Sequence, residues 1–387
     1  MSSSQASRGY VYNCPYFQEK PMSRLLSTLL VTTSLLFSSA TLAQVKVEQL
    51  LDGLDHPWSL AFLPDEKHLL ITERSGQLRL WSAQDGLSQP ISGVPEVWAQ
   101  RQGGLLDVVL APDFASSRRV WLSYTEEGKE GAGAVVGYGV LSDDNRQLRD
   151  FRVVLRQQGL SSGANLGTRM VFDRTGYLYI VFGDNFNSAT AQELDKLQGK
   201  IVRLTADGAI PPDNPFVGRN NARGEIWAYG LRNPQGVALN PWTQQIWESE
   251  HGPRGGDEVN IIAKGKNYGW PLATWGLDYS GSKVPESQGG EVAGTEQPIF
   301  YWKVSPAISG MAFYNSARFP QWKNSLFIGA LKEKNLIRLT LNGEKVVEQQ
   351  RLLQDRGERI RDVRVGPDGF LYVLTDERDG KLLKVGL

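Results

Sequence analysis

Four cations, Arg232, Lys332, Arg359 and Arg361, flank apolar repeats in a chain whose 42 basic and 42 acidic side chains cancel. Guanidinium forks bind carboxylates bidentately, so such a set, if convergent, suits a small, planar, multiply anionic ligand. The same residues could instead be spent on ion pairs within the fold, Arg361 with Asp362 or Arg232 with Glu250. Proton chemistry has fewer candidates. There are 3 histidines, His56, His68 and His251, and a single cysteine, Cys14. His56, in Asp55-His-Pro-Trp58, and His68, in a turn, read as structural or exposed, whereas His251 directly precedes Gly252-Pro253.

What must position these residues is a repeat. An apolar run, a Pro/Asp/Gly turn and a second apolar run recur six times, at 59–74, 106–124, 169–184, 236–250, 310–332 and 362–377. Third runs follow several copies, at 77–81, 200–204, 258–262, 335–339 and 381–385. Copies roughly 50–75 residues apart suit one blade plus variable loops, and the reading is all-β: a six-bladed β-propeller of four-stranded antiparallel blades. A β-helix would repeat more regularly, and a β-sandwich would not return the same turn six times. The segment 189–223 reads as a long loop with a short helical piece at 190–197.

In each hairpin the first strand runs out and the second runs back, so residues before strand one and after strand two share a face. Gln102, Asn165, Arg232, Asn233, Arg359 and Arg361 come to that face from leading loops. Asp184, Asn185, His251, Gly252, Pro253 and Lys332 come from trailing loops. A propeller's central mouth is a natural place for a cofactor or substrate.

Composition narrows the class further. A hydrophobic fraction of 41% excludes global disorder, and 41 Gly with 19 Pro argue for many short elements joined by turns. Zero formal net charge argues against a nucleic-acid partner. Met22-Ser-Arg24, an apolar stretch over 25–37 and the small residues before Gln44 read as a secretory signal peptide, residues 22–43, cleaved after Ala43. Residues 1–21 read as a misassigned start or a disordered extension, and 44–387 as a single propeller domain. A periplasmic location is expected, without stable membrane insertion after cleavage. With Cys14 removed, the mature chain has no disulfide, thiolate site or cysteine nucleophile.

Five segments carry a family likeness: Gln102-GGLLDVVLAPDF-Ala115, Glu225-IWAYGLRNPQG-Val237, Glu250-HGPRGGDEVN-Ile261, Gly265-KNYGW-Pro271 and Arg359-IRDVRVGPDG-Phe370. In order and together, they resemble the soluble quinoprotein sugar dehydrogenases, specifically the aldose sugar dehydrogenase branch of the glucose/sorbosone dehydrogenase family. The resemblance implies pyrroloquinoline quinone (PQQ) lying over the mouth, bound at positions matching Gln102, Arg232, Asn233, Lys332, Arg359 and Arg361, with Tyr279 as a further contact. It also implies a calcium ion held partly by carbonyls at Gly252 and Pro253, and a second, structural calcium at Glu258 and Tyr268. Calcium takes oxygen ligands and polarises an ortho-quinone, and a Gly-Pro turn can aim successive carbonyls at one ion. Glu258 paired with Arg254 is the plainer alternative.

The family uses a histidine to take the proton of the anomeric hydroxyl while hydride moves from C1 to the quinone. Here Ser162-GANLGT-Arg169 departs from the pattern, with Asn165 at the histidine position and Thr168 where glycine is expected. An amide can hydrogen-bond to a hydroxyl but has no usable basic form. His251 is a substitute base to be tested, and Asp184 a weaker one. The implied activity is PQQ- and calcium-dependent oxidation of aldose sugars to lactones, slowed by Asn165, with electrons passed to an external acceptor. The alternatives are a non-catalytic PQQ- or sugar-binding propeller, and a calcium-dependent lactonase, which would want carboxylates where this rim carries cations.

Overall fold

The computed structural model describes Gln44–Leu387. The segments 1–21 and 22–43 lie outside the described residues. Six four-stranded antiparallel sheets make up the fold. Blade 1 runs Pro57–Phe62, His68–Glu73, Gln77–Ser82, Gly86–Leu87, and blade 2 Leu105–Leu110, Arg119–Glu127, Ala132–Leu141, Leu148–Arg156. Blade 3 is Met170–Phe172, Leu178–Phe182, Lys200–Leu204, Ile226–Tyr229, and blade 4 is Pro234–Leu239, Ile246–Glu250, Asp257–Ile262, Phe300–Trp302. Blade 5 is Ile308–Tyr314, Ser325–Ala330, Asn335–Asn342, Lys345–Leu352. Blade 6 is Ile360–Val365, Leu371–Thr375, Gly380–Gly386, with its outer strand, Lys46–Leu54, supplied by the other end of the described chain.

That last pairing, Lys46 opposite Gly386, closes the ring and leaves no blade split open at its seam. Alternation along the strands packs blade on blade. In Ile246–Glu250, Ile246 joins the cluster shared with blade 3, whereas Trp247 joins the one shared with blade 5. The inter-blade layers are aromatic: Trp121 meets Tyr138 and Phe172, and Trp247 meets Phe313 edge-on at 5.1 Å. Fully burying one such ring is worth roughly 1.5–3 kcal/mol.

Two features shape the mouth. In five of the six blades the innermost strand has a register break at its start, for example between Pro57 and Ser59 and between Ile360 and Asp362. Such bulges turn the leading residues towards the axis. Below them Arg169, fully buried, plugs the channel. Its guanidinium lies 3.4 Å from Asp107 of blade 2 and 3.2 Å from Asp362 of blade 6. It also donates to the carbonyls of Trp58, Gln235 and Arg361, drawn from blades 1, 4 and 6.

The helical piece expected at 190–197 is a single 3-10 turn, Ser188–Gln192, because the carbonyls there turn inward to the ammonium of Lys200. His68 opens a strand instead of sitting in the turn, with Nδ1 2.7 Å from Asp65. No helix among the described residues is long and apolar enough to cross a membrane.

Candidate active site

Above the Arg169 plug the mouth opens into a cavity of about 630 Å³ whose wall includes Trp58, Arg74, Gln102, Gln235, His251, Arg359 and Arg361. Arg359 and Arg361 both reach Asp376 Oδ2, at 2.9 and 2.8 Å. Burial would raise the Asp376 carboxyl, but the Arg361 and Arg359 guanidiniums outweigh it and hold the group well below the usual carboxylate range. One carboxylate thus orients two cations and leaves a positive excess, to which Arg74 adds. The Nε donors of Arg74, Arg232 and Arg361 are buried and have no partner. Orphaned cationic donors beside a cavity fit an anionic ligand that completes them.

The ion pairs considered from sequence do not form. Asp362 serves Arg169 and Arg364, not Arg361. Glu250 takes the backbone N–H groups of Arg232 and Asn233, while the Arg232 guanidinium donates to the carbonyls of His251 (3.1 Å) and Gly252 (2.9 Å) and to the Tyr279 hydroxyl (3.2 Å). Asn233 is buried, its Oδ1 accepting from Gly167 N and Gln235 Nε2. Lys332 is exposed on an adjoining groove with Gly252 and Pro253, and has no ion pair among the described residues.

A second cavity of about 530 Å³ adjoins the first, walled by Asn165, Asp184, Phe186, Arg232, Trp270 and Tyr279 among others. Asn165 sits in the left-handed region, φ 53°, which asparagine tolerates well. Its N–H donates to Gln102 Oε1 at 2.8 Å, and its Nδ2 to Asp184 Oδ1 at 2.8 Å. That bond fixes the amide, leaving Oδ1 without a protein partner among the described residues. Asp184 also accepts from Phe186 N and, through Oδ2, from Trp270 Nε1, both at 2.8 Å. Burial raises its carboxyl above the ordinary value, against the pull of Arg232. Phe186 and Tyr279, both exposed, stack at 6.3 Å over the entrance.

His251 lines the first cavity and not the second. Its Nε2 faces the Ile308 carbonyl, which can only accept, so the ring proton sits there. Nδ1 lies 3.5 Å from Asn233 Nδ2, and burial pushes the imidazole down, keeping it neutral. His56 contacts Asp376 at 3.3 Å. None of the three histidines lines the cavity that holds Asn165.

Glu250 and Glu258 face each other across paired strands beside a small chamber that Tyr268, Trp270 and Gly252 also line. Burial pushes Glu250 up to about 7, and burial together with Glu250 raises Glu258 well above the carboxylate range. Arg254 is exposed and makes no ion pair with Glu258, so the pairing considered from sequence is absent. Two rungs further, Glu248 Oε1 and Asn260 Oδ1 are buried without partners. Buried oxygens clustered in this way, with Arg232 the cation of the protein that acts on Glu250, fit a hard divalent ion. The Tyr268 hydroxyl is spent on the Ile261 carbonyl and the Ala263 N–H.

Sequence reasoning missed Arg74, Asp376, Gln235 and Trp270. Arg74 and Asp376 follow second strands, so the hairpin rule that placed Lys332 on the mouth places them there too.

A closed six-bladed ring with a plugged axis defines the class: a propeller with a cation-lined cavity at its mouth and a second cavity beside it. The chain belongs to the glucose/sorbosone dehydrogenase family, whose model matches residues 54–384. It is 66% identical over 345 residues to the aldose sugar dehydrogenase YliI of Escherichia coli (strain K12), covering 89% of this chain and 93% of that protein. The apo crystal structure of the soluble aldose sugar dehydrogenase from Escherichia coli superposes with TM-score 0.88 at 65% identity, covering 89% of this chain and 99% of the other. The PQQ-bound aldose sugar dehydrogenase of Streptomyces coelicolor superposes with TM-score 0.71 at 27% identity, covering 89% and 99%.

Proposed function

We propose that this chain is a periplasmic, PQQ- and calcium-dependent aldose dehydrogenase that oxidises the anomeric carbon to a lactone and passes electrons to an external acceptor. The observation that carries the reading is the mouth itself: Arg74, Arg359 and Arg361 converge on one cavity, with unpartnered donors, in a chain of zero formal charge. PQQ would supply the two-electron acceptor there, polarised by calcium. Gln102, Arg232, Asn233, Lys332, Arg359 and Arg361 would hold its anionic edge, with Tyr279 beside Arg232 on the wall of the second cavity. Gly252 and Pro253 would offer carbonyls to the ion once Arg232 releases Gly252, and Glu258 with Glu250 would hold a second cation. The sugar would occupy the adjoining cavity, where the Asn165 amide can hydrogen-bond the anomeric hydroxyl and Phe186 and Tyr279 offer aromatic faces to the pyranose. Export by a signal peptide cleaved after Ala43 completes the reading.

A non-catalytic descendant that binds PQQ or sugar is the second reading, favoured by one observation: residue 165 is an amide. Reconstitution separates the two. The purified protein should quench in fluorescence on titration with PQQ and calcium, and then oxidise aldoses with a dye as acceptor. Binding without turnover would select the second reading, and absence of binding would refute both.

A further inference from the structure

We propose that Asp184 is the general base of this chain, receiving the proton of the anomeric hydroxyl while Asn165 only orients that hydroxyl. The inference rests on the dehydrogenase reading above and assigns the one role that reading leaves vacant.

The argument is one of elimination followed by geometry. Asn165 gives one N–H of Nδ2 to Asp184 and keeps its second N–H and Oδ1, so its amide can hydrogen-bond the hydroxyl but cannot take a proton. No histidine lines this cavity: His251 is tied at Nε2 to the Ile308 carbonyl and turns Nδ1 to Asn233, His56 sits on Asp376, and His68 on Asp65. Asp184 lines the cavity beside Asn165. A carboxylate accepts about four hydrogen bonds. Asp184 takes two at Oδ1, from Asn165 and Phe186, and one at Oδ2, from Trp270, so Oδ2 keeps a free lone pair. Burial raises its proton affinity, the direction a base working near neutrality needs. The hydroxyl would reach the carboxylate directly or through one bridging water.

The step balances. The C1–H electron pair leaves as hydride to the quinone, the O1–H proton passes to Asp184, and the C1–O bond becomes a carbonyl, so the aldose is oxidised to its lactone. The quinone takes both electrons, and Asp184 returns its proton to the reduced quinone or to water.

The test uses Asp184→Ala and Asn165→Ala with two readouts, PQQ affinity by fluorescence titration and kcat of the loaded protein. Loss of a general base typically costs about 10²–10⁴-fold, so Asp184→Ala should lose that much kcat with PQQ affinity within about threefold of the parent. Asn165→Ala, losing a positioning contact, should lose roughly tenfold. Formate and acetate should restore turnover to Asp184→Ala, acetate more than formate because it is the stronger base; a structural defect would not follow basicity. The proposal is overturned if Asp184→Ala keeps kcat within tenfold, or if its loss is indifferent to added carboxylates. Should Asp184→Ala unfold, the isosteric Asp184→Asn carries the test: loss of kcat with PQQ binding intact supports the assignment, and retained kcat overturns it. Failure of the parent protein to bind PQQ would refute the dehydrogenase reading itself, a result distinct from either.

Discussion

Arg169→Met removes a side chain that ties the axis of the ring together. The guanidinium now neutralises Asp107 and Asp362 and satisfies the carbonyls of Trp58, Gln235 and Arg361, all in a fully buried setting. Methionine matches much of the volume but supplies neither charge nor donors. Arg364 still lies 3.3 Å from Asp107 and 3.0 Å from Asp362, so the two carboxylates are not wholly abandoned. Breaking a buried pair by removing one partner costs about 3–5 kcal/mol. With an unfolding entropy of about 2.1 cal/mol/K per residue over about 340 residues, 1 kcal/mol moves Tm by about 1.4 °C. The expected fall is therefore about 4–7 °C by calorimetry. Because Gln235 and Arg361 line the mouth, PQQ affinity should fall as well. Arg169→Lys keeps the charge but has three donors for five acceptors, so it should recover part of the loss. A Tm within about 1 °C of the parent for Arg169→Met would refute the claim that this residue locks the axis.

Two further perturbations probe the mouth and its supporting loop. Arg361→Gln should weaken PQQ binding about 10–100-fold, the worth of one hydrogen bond to a charged group, and an unchanged Kd by fluorescence titration would remove Arg361 from the ligand site. Lys200 donates to the carbonyls of Thr190, Ala191 and Gln198, and burial lowers its ammonium from 10.5 to about 7, so between those values the native state has shed a proton that the unfolded state keeps. Stability relative to Lys200→Met should therefore rise with pH from about 7 towards 10, by up to about 1.4 kcal/mol per pH unit, and a flat difference in urea unfolding across that window would refute it.

The hairpin rule made most of the mouth legible before any coordinates. Residues flanking each repeat were assigned to one face, and Gln102, Asn165, Arg232, His251, Arg359 and Arg361 do line the two adjoining cavities. The closing strand Lys46–Leu54 was not legible, because its partner is Gly380–Gly386, at the far end of the sequence, and no local pattern records a pairing between chain ends. Partner choice among charges was illegible for a similar reason. Arg361 was weighed against its neighbour Asp362, but strand alternation sends adjacent side chains apart, and the acid that Arg361 meets is Asp376, across the hairpin. The buried row of Glu248, Glu250, Glu258 and Asn260 needed the cross-strand register, since its members become neighbours only when Glu250 is set opposite Glu258.

The geometry also leaves the surroundings of residue 165 independent of its side chain. Asp184 is held by Phe186 N and Trp270 Nε1, neither of which depends on what occupies position 165. Residue 165 is held in turn by its own N–H on Gln102 Oε1 and by its carbonyl, which accepts from Asn185 N. A side chain offering one N–H to Asp184 fits either way, and an amide and an imidazole both do. An imidazole at position 165 would therefore keep the hydrogen bond that orders the site and differ only in what faces the cavity, a basic nitrogen in place of the amide. With an amide at 165, the carboxylate behind it, buried and short of one hydrogen bond, is the group left to take the proton.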